Sequence, residues 1–521
     1  MADLGATETV NGREPWRILR QSPLSQPPRR SPLPSTAAPI IAQVQQEFQD
    51  LLTYVTGPAS AAHTAYEVER TLFRRLLALG AALLRLFFIT RAAVRPAGPV
   101  CRPDGTPLGY HDQRRTTYYS VFGKLVFHRH AFTAPGQPVV CPLDAALGLP
   151  ERCYSDLLRE WMVYGATDES YRESQTVLER VLGLSLSLQA LETTVAEAAV
   201  DVAGFSDQRH DPAPTASAAT ILVAQADGKG VPLVPSRSTP RPVRRGKGHP
   251  PATKEAVVTA LYTIAPYPRT PQDIVAALLR EAEPPAPATR PAPVGKEVQA
   301  TLDGKEAALT RLAQRAAQRE HPAIAHRVAL TDGAAALQAQ MSTHLPDHTL
   351  VLDIIHASEY LWDAANALLG EGHPERTAWV RGHLADVLAG QTATVISALE
   401  TAAADPACTT TQRQAILRTV GYYQRNLPYM RYDDYLARGW PIGTGVVEGA
   451  CGHLVKDRMQ QAGMRWTKAG AQAVLALRAV RLNGDWDTYW QCHRRRQYER
   501  LYGATIPLPA VVEDQALELA A

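Results

Sequence analysis

The chain has 521 residues, of which 45% are hydrophobic, and its formal net charge is +3. This composition excludes a disordered protein, and the length allows three or more domains. The longest apolar run, residues 76–84, is too short to cross a bilayer, so we expect a cytoplasmic protein without membrane contact. The six cysteines form no CxxC pair, which argues against a zinc site and against a disulfide framework.

Four segments precede the first strong strand pattern. Composition and periodicity predict a disordered leader (1–40), a helical region (41–97), a β-ribbon (98–150) and a second helical region (151–205). A tight turn is expected in the ribbon at residues 122–124. His128 and His130 share one strand face there, either as a metal pair or as side chains that contact DNA or water. The second helical region breaks at Gly183, which is compatible with a helix-turn-helix or with an ordinary helix pair.

The chain is organised around an apolar strand pattern that ends in an acid. Residues 221–224 (ILVA) form a β-type run that leads to Asp227, and Gly228 predicts a turn before a second short strand at 231–234. A carboxylate at the end of a buried strand is costly unless something binds it. Asp227 is therefore a candidate ligand.

Further acids stand in comparable places. Asp332 follows an apolar run at 326–330, and Asp353 follows another at 349–352. Glu448 lies in the first turn of a predicted helix, among small residues that allow close approach of a DNA strand. Taken singly, Asp227 and Asp332 could each be a turn residue or a helix N-cap, and Glu448 could be a favourable charge at a helix N-terminus.

Together, Asp227, Asp332 and Glu448 are predicted to form one metal site. Converging carboxylates repel each other unless a divalent cation lies among them, and oxygen ligands favour Mg²⁺ or Mn²⁺. Two such ions could activate a water or a 3′-hydroxyl at a phosphodiester. The acids are too far apart in sequence to form a local motif, so a sheet and a helix have to bring them together.

The remaining pattern predicts an α/β core with a mixed sheet flanked by helices and interrupted by an all-α insertion. Its parts are the first core segment (218–365), the helical insertion (366–438), the returning core segment with the Glu448 helix (439–500) and a tail (501–521). A continuous helix is predicted from residue 301 to 320, and another from 446 to 483.

Positive side chains predict a DNA-binding surface. The loop at 236–254 has six basic residues and no acid, which favours phosphate contact over a solvated hairpin tip. Trp466 either stacks on a frayed base or packs in the core. The predicted DNA-contacting residues are Arg237, Arg241, Arg244, Arg245, Lys247, Lys254, Lys456, Arg458, Arg465 and Trp466.

Four segments resemble the ISKra-type insertion-sequence transposases: ADGKGVPLV, LTDGAAAL, LDIIHASEYLWDAANALLG and WPIGTGVVEGACGHLVKDRMQQAGMRW. The resemblance covers residues 100–500 and implies a DDE enzyme with an RNase H-like core. It implies that Asp227, Asp332 and Glu448 are the first, second and third acids, and that they hold two Mg²⁺ or Mn²⁺ ions. Relatives often carry a cysteine-paired zinc element before the core, which would make the unpaired ribbon at 98–150 a degenerate zinc ribbon.

Asp353 competes with Asp332 for the second position. The run from Asp353 to His356 resembles the D-x-x-H signature that follows the second acid in Mutator-like and related transposases. That signature favours Asp332 as the ligand and gives Asp353 and His356 a supporting or DNA-positioning role.

The resemblance further implies how the protein acts on a mobile element. A homo-oligomer would bind the transposon ends and the target in double-stranded DNA, cut at the ends and transfer the strand. A nuclease of the same fold without strand transfer and an inactive, domesticated DNA-binding relic are the alternatives.

Overall fold

The computed structural model describes residues 37–96, 98–102, 105–209, 220–234, 253–280, 290–461 and 463–503. The chain divides into two compact units, the first formed by residues 1–163, 172–188 and 490–521 and the second by residues 164–171 and 189–489. Most of the predicted leader, nearly all of the tail and nearly all of the basic loop lie outside the described residues. Within them, no helix combines the length and the hydropathy that a membrane span requires.

The first unit contains helices and an antiparallel ribbon. Its elements, in chain order, are α1 (Ala37–Thr56), α2 (Pro58–Ala61), α3 (Ala65–Ala92), β1 (Val100–Cys101), β2 (Pro107–Ser120), β3 (Gly123–Thr133), α4 (Pro142–Ala146), the greater part of α5 (Asp156–Asp168) and α6 (Tyr171–Leu182). Helices therefore lie in the region predicted as helical, and an antiparallel three-stranded sheet lies in the region predicted as a β-ribbon.

Local sequence explains these elements. Thr64 and Glu67 form a capping box that satisfies backbone donors at the start of α3. The hairpin turn falls at residues 121–122, one residue earlier than predicted, because Gly123 takes a φ of 124° and already opens β3. Phe88 of α3 stacks on Phe127 of β3 with ring centroids 4.3 Å apart, which joins the helix to the ribbon.

The second unit contains the mixed sheet and its helices. Its elements, in chain order, are α7 (Leu188–Ala199), α8 (Val202–Ser206), β4 (Thr220–Pro232), β5 (Thr253–Ile264), α9 (Pro271–Leu278), β6 (Val294–Thr301), α10 (Lys305–Gln318), β7 (Ile324–Thr331), α11 (Ala335–His344), β8 (Thr349–Leu352), α12 (Ile354–Leu369), α13 (Arg376–Leu388), α14 (Thr392–Ala404), α15 (Thr410–Asn426), a 3₁₀ turn (Leu427–Tyr429), α16 (Tyr432–Ala437), α17 (Gly445–Ala450), a π-helical turn (Cys451–Lys456), α18 (Asp457–Met459) and α19 (Lys468–Leu482). The chain continues into α20 (Trp486–Tyr502), which ends in the first unit.

The five strands form one mixed sheet in the order β6-β5-β4-β7-β8. β5 is antiparallel to both of its neighbours, β4 and β6, whereas β7 runs parallel to β4 and β8 runs parallel to β7. Alternate residues of β4 point to opposite faces. Ile221 and Val223 join the core under α12 to α16, whereas Leu222 and Ala224 join the core under α10 and α11. The predicted mixed sheet with helices on its faces is confirmed.

The segment around Asp227 differs from the prediction. β4 continues through Asp227 and Gly228 to Pro232, so Asp-Gly does not form a turn here. Asp227 pairs with Val258 and Gly228 with Val257 of β5, and this long antiparallel ladder keeps the dipeptide extended. Pairing with the neighbouring strand β5 therefore overrides the propensity of Asp-Gly for turns.

Two predicted helices are shorter than expected. The helix predicted for 301–320 begins at Lys305, because residues 294–301 form β6 at the edge of the sheet, a strand that the sequence did not indicate. The helix predicted for 446–483 is interrupted between Met459 and Lys468. Leu233 and Trp466 form an isolated bridge in that interruption, and it replaces helical hydrogen bonds with contacts to the end of β4.

The remaining helical predictions hold in part. The residues predicted as an all-α insertion are helical wherever they form regular structure. The predicted break at Gly183, which has a φ of 69°, separates α6 from α7. Most of α6 belongs to the first unit and nearly all of α7 to the second, so the helix-turn-helix stays a prediction.

Candidate active site at the edge of the sheet

The strand ends place two acids at one edge of the sheet. β7 and β8 are parallel, and Thr331 pairs with Leu352. Asp332 and Asp353 are the next residues along these two strands, so both leave the sheet at the same edge. The Asp353 N–H donates to the Thr331 carbonyl oxygen over 2.9 Å, and this hydrogen bond holds the end of β8 beside the end of β7.

Asp353 turns into the protein, where its side chain caps a helix. Its Oδ1 accepts a hydrogen bond of 2.8 Å from the N–H of Ile355, so Asp353 is the N-cap of α12. The residue is fully buried. The N–H of Ile354 donates to the Ile442 carbonyl oxygen over 2.9 Å, which fastens this helix start to the segment that leads to Glu448.

Thr444 joins the two carboxylates. Its hydroxyl oxygen is hydrogen-bonded to Asp353 Oδ2 and also lies 2.7 Å from Glu448 Oε1. A hydroxyl has one proton and can donate to only one acceptor at a time. One of the two carboxylates therefore either faces an oxygen lone pair or carries a proton itself.

Burial is the main electrostatic influence on Asp353. It raises the pKa of this carboxyl to about 6, and the hydrogen bonds from Thr444 and Ile355 offset the effect only in part. The negative charge of Glu448 pushes the pKa of Asp353 in the same upward direction as burial. Within the described residues, neither lysine nor arginine forms a salt bridge with Asp353 or Glu448.

His356 completes a group of three possible ligands. One ligand atom each from Asp353, His356 and Glu448 lie within 4.8 Å of one another. Burial lowers the pKa of His356, but the carboxylates of Asp353 and Glu359 outweigh it, and the pKa is raised above its ordinary value. His356 Nδ1 lies 3.2 Å from an oxygen of Glu359, so Glu359 holds this nitrogen of the ring.

Asp227, on β4, lies close to the helical segment that contains Glu448. Its Oδ2 lies 3.3 Å from the Sγ of Cys451, which follows Glu448 by three residues. Its Oδ1 accepts a hydrogen bond of 2.6 Å from the N–H of Gly228. Asp227 does not belong to the group of ligand atoms formed by Asp353, His356 and Glu448.

Gln225 ties the Glu448 helix to the sheet. Gln225 is fully buried, and its Oε1 accepts a hydrogen bond of 2.9 Å from the N–H of Val447. Its Nε2 donates to the hydroxyl of Tyr262 and to the Gly443 carbonyl oxygen. Gln225 and Asp227 lie two residues apart on one strand face, which aims the acid at the helix that the glutamine holds.

Asp332 is held differently. Its Oδ1 accepts a hydrogen bond of 2.9 Å from the N–H of Ala334, so the carboxylate closes its own turn. Its backbone oxygen accepts from the hydroxyl of Tyr422, and the hydroxyl of Tyr432 holds the Leu352 carbonyl oxygen in the same way. The helical insertion therefore fixes both strand ends. The structure joins Asp353, rather than the favoured Asp332, to Glu448 and His356.

The predicted DNA-contacting residues fall into three groups. Five lie outside the described residues: Arg237, Arg241, Arg244, Arg245 and Lys247. Three are exposed: Lys254, Lys456 and Arg465. Arg458 and Trp466 are buried, with the guanidinium carbon of Arg458 4.7 Å from the indole centroid, so both have a packing role in the second unit.

The donor set fits a divalent cation. Two carboxylates compete for one hydroxyl proton, the more buried one has a raised pKa, and an imidazole lies beside them. A cation would remove the repulsion between the carboxylates and satisfy their free lone pairs. The two carboxylates suit Mg²⁺ and Mn²⁺, whereas the imidazole is a ligand more typical of zinc, iron or nickel.

Thr444 and Gln225 were not predicted from the sequence. The sequence did contain an indication that Gln225 has a role in the site, because its amide lies inside an apolar strand and two residues before a candidate acid. A scan against models of known protein families finds no match to this chain, and a search of curated proteins finds no similar sequence.

Proposed function

We propose that the chain is a DDE transposase of the ISKra-like kind, which cuts the ends of its insertion sequence and joins them to target DNA. The observation that carries this proposal is the convergence of Asp353 and Glu448 on the hydroxyl of Thr444 at the carboxyl edge of the sheet. Two acids that are distant in sequence and have neither lysine nor arginine as a salt-bridge partner are typical of a metal-dependent phosphodiester site. The four segments that resemble the family include both acids.

The proposed ligands are Asp353 and Glu448, with Asp227 as the first acid of the core. His356 is a further ligand or a group that orients the DNA beside the acids. A bound pair of Mg²⁺ or Mn²⁺ ions would supply Lewis-acid activation of the attacking oxygen and stabilise the leaving oxygen. Asp332 stays the alternative second acid, because it leaves the neighbouring strand at the same edge.

The protein's own residues would prepare this chemistry. The Thr444 hydroxyl is hydrogen-bonded to both carboxylates and holds their ligand atoms within 4.8 Å of each other, and Gln225 keeps the Glu448 helix against β4. The RNase H-like core that the family implies needs a mixed sheet with helices on its faces, and the mixed sheet described above is of that class. The exposed Lys456 and Arg465 lie in the segment that follows Glu448 and would contact phosphates, together with Lys254 and the basic loop.

The test is cleavage of DNA that carries the flanking sequence of the protein's own gene, in Mg²⁺ or Mn²⁺. The wild type is expected to cut at a discrete position and to join the cut end to a supercoiled plasmid. Asp353→Asn and Glu448→Gln are each expected to lower the cleavage rate by a factor on the order of 10³, because each removes charge from the reacting centre. Asp363→Asn changes an exposed carboxylate on α12 and serves as the matched control.

The products distinguish the alternatives. Metal-dependent cuts without joined products would support a nuclease and contradict transposition. Binding to the same flank without any cleavage would support an inactive relic. Loss of cleavage in Asp332→Asn together with normal cleavage in Asp353→Asn would show that the second acid is Asp332.

A further inference from the structure

Four helices of this chain begin at a threonine that caps them. Each of these threonines has an extended backbone, and its hydroxyl oxygen accepts a hydrogen bond from the N–H three residues later. This bond satisfies one of the backbone donors that a helix start leaves without a partner. The four residues are Thr64 of α3, Thr270 of α9, Thr409 of α15 and Thr467 of α19.

Thr444 stands at the same place before α17 but does not cap that helix. Its backbone has a φ of −88° and a ψ of 12°, which is not extended, and its side chain makes no capping hydrogen bond. The hydroxyl is hydrogen-bonded to Asp353 and Glu448 instead. The N–H of Val447, which a capping threonine would satisfy at this helix, therefore needs another acceptor.

Gln225 provides that acceptor from the sheet. Its Oε1 accepts a hydrogen bond of 2.9 Å from the Val447 N–H. Its Nε2 donates over 3.0 Å to the hydroxyl of Tyr262 and over 3.3 Å to the carbonyl oxygen of Gly443, the residue before Thr444. These partners define the orientation of the amide, because only its oxygen can accept from an N–H and only its nitrogen can donate to a carbonyl.

Burial makes these hydrogen bonds necessary. Gln225 and Val447 are both fully buried, so water cannot replace a partner that is lost. The oxygen of the Gln225 amide and both of its hydrogens are used, two of the three bonds hold the start of α17, and the third reaches β5. An amide inside an apolar strand is explained by this contact with the helix start.

We propose that Gln225 is a positioning residue, which caps the Glu448 helix from β4 and so leaves the Thr444 hydroxyl to Asp353 and Glu448. The consequence for the two acids rests on the proposed metal site, whereas the cap itself needs no metal. Without Gln225, the Val447 N–H would lose its acceptor, and Thr444 would turn to cap it as the four other threonines do. The carboxylates would then lose the hydroxyl that they share.

The first test measures the affinity of the full chain for Mn²⁺ by calorimetric titration at pH 7.5, without DNA. Gln225→Leu and Thr444→Val are each expected to weaken the affinity by about tenfold, because either change removes the hydroxyl from the carboxylates. The double variant is expected to be weaker than the wild type by about tenfold to twentyfold, and not by about a hundredfold. Two changes that break the same link are not additive.

Gln338→Leu is the matched control. Gln338 is a buried glutamine of α11, and its Nε2 donates over 2.8 Å to Asn426 Oδ1. Its replacement removes a buried amide of the same kind and is expected to lower the thermal midpoint, as Gln225→Leu does, but to keep the wild-type affinity for Mn²⁺. Equal losses of affinity in the two variants would mean that general destabilisation weakens the site, which would overturn the proposal.

The second test measures hydrogen exchange at the Val447 N–H, in EDTA, by mass spectrometry with fragmentation to single residues. Gln225→Leu and Thr444→Val are each expected to keep slow exchange, because one acceptor remains in each variant. The double variant is expected to exchange at least tenfold faster, since both acceptors are gone. The exchange is thus sensitive only to the double change, whereas the affinity for Mn²⁺ falls fully with either single change.

The two tests separate the possible outcomes. Wild-type affinity in Gln225→Leu, or a loss of about a hundredfold in the double variant, would overturn the proposal. Fast exchange in Gln225→Leu alone would show that Thr444 does not take over the cap, and this would also overturn it. A wild type that binds no Mn²⁺ would contradict the proposed metal site, and the exchange pattern would then decide alone whether Gln225 and Thr444 compete for the cap.

Discussion

Two buried carboxylates in the second unit have opposite surroundings. Glu297 on β6 is buried, and Arg315 and Arg319 each donate to its Oε2 over 2.9 Å, with Gln299 on the other oxygen. Asp353 is buried as deeply, but it shares a threonine hydroxyl with Glu448.

The difference separates an acid whose charge is balanced within the fold from the acid of the proposed metal site. A buried charge is costly unless it is paired, and Glu297 meets this requirement within the fold. Asp353 instead has a raised pKa and a second carboxylate nearby. The fold supplies two arginines to Glu297 but, within the described residues, neither lysine nor arginine to Asp353, and this contrast supports the proposed cation site.

The largest expected effect tests the structural acid. Glu297→Gln leaves Arg315 and Arg319 buried with less negative charge, and we expect it to lower the free energy of unfolding by about 3–5 kcal/mol. The measurement is the urea midpoint with EDTA present. Glu255→Gln, which removes the half-exposed partner of Lys305, is the control and should change stability by less than about 1 kcal/mol. Equal effects of the two changes would contradict the distinction.

The next effect concerns pH and tests the functional acid. Asp353 has a folded pKa of about 6, above its ordinary value of 3.8, so the folded state favours the protonated carboxyl. Its stabilising contribution is complete below about pH 4 and is lost as the pH rises through 6, a change of about 3 kcal/mol. We expect the difference in unfolding free energy between wild type and Asp353→Asn to shift by about 2 kcal/mol from pH 4 to pH 7.5 in EDTA, because the unfolded carboxyl is already partly ionised at pH 4. A difference that stays constant with pH would show that the carboxyl has an ordinary pKa.

A smaller effect is expected at Thr444. Thr444→Val removes the hydroxyl that holds Asp353 and Glu448 and should cost about 1 kcal/mol of stability. It should also weaken the affinity for Mn²⁺ by about tenfold, because the carboxylates lose their common positioning group. Thr444→Ser keeps the hydroxyl and should restore both properties. Failure of the serine variant to restore them would point to the methyl group instead.

The sequence predicted the strands that carry the acids, because each is a short apolar run that ends in a turn residue. It did not predict β6, since residues 294–301 include Gly295, Lys296 and Glu297 and lie beside a proline-rich stretch. An edge strand needs only one neighbour, and β5 supplies that pairing from a distant part of the chain.

The choice of the second acid depended on tertiary contacts that no local pattern records. Asp332 and Asp353 both follow apolar strands that are neighbours and parallel, so periodicity treats them alike. The Asp353 side chain is buried because it caps α12 and is hydrogen-bonded to Thr444, a residue that follows the helical insertion in the sequence. For the same reason, Arg458 was predicted to contact DNA, although it is buried against Trp466.

The most direct test of the central claim is calorimetric titration of the full chain with Mn²⁺ at pH 7.5, without DNA. We expect the wild type and Asp332→Asn to bind Mn²⁺, and we expect Asp353→Asn and Glu448→Gln to lose that binding. Asp363→Asn should bind like the wild type. Wild-type binding by Asp353→Asn, together with loss of binding in Asp332→Asn, would contradict the assignment of Asp353 and Glu448 as the pair that holds the cation.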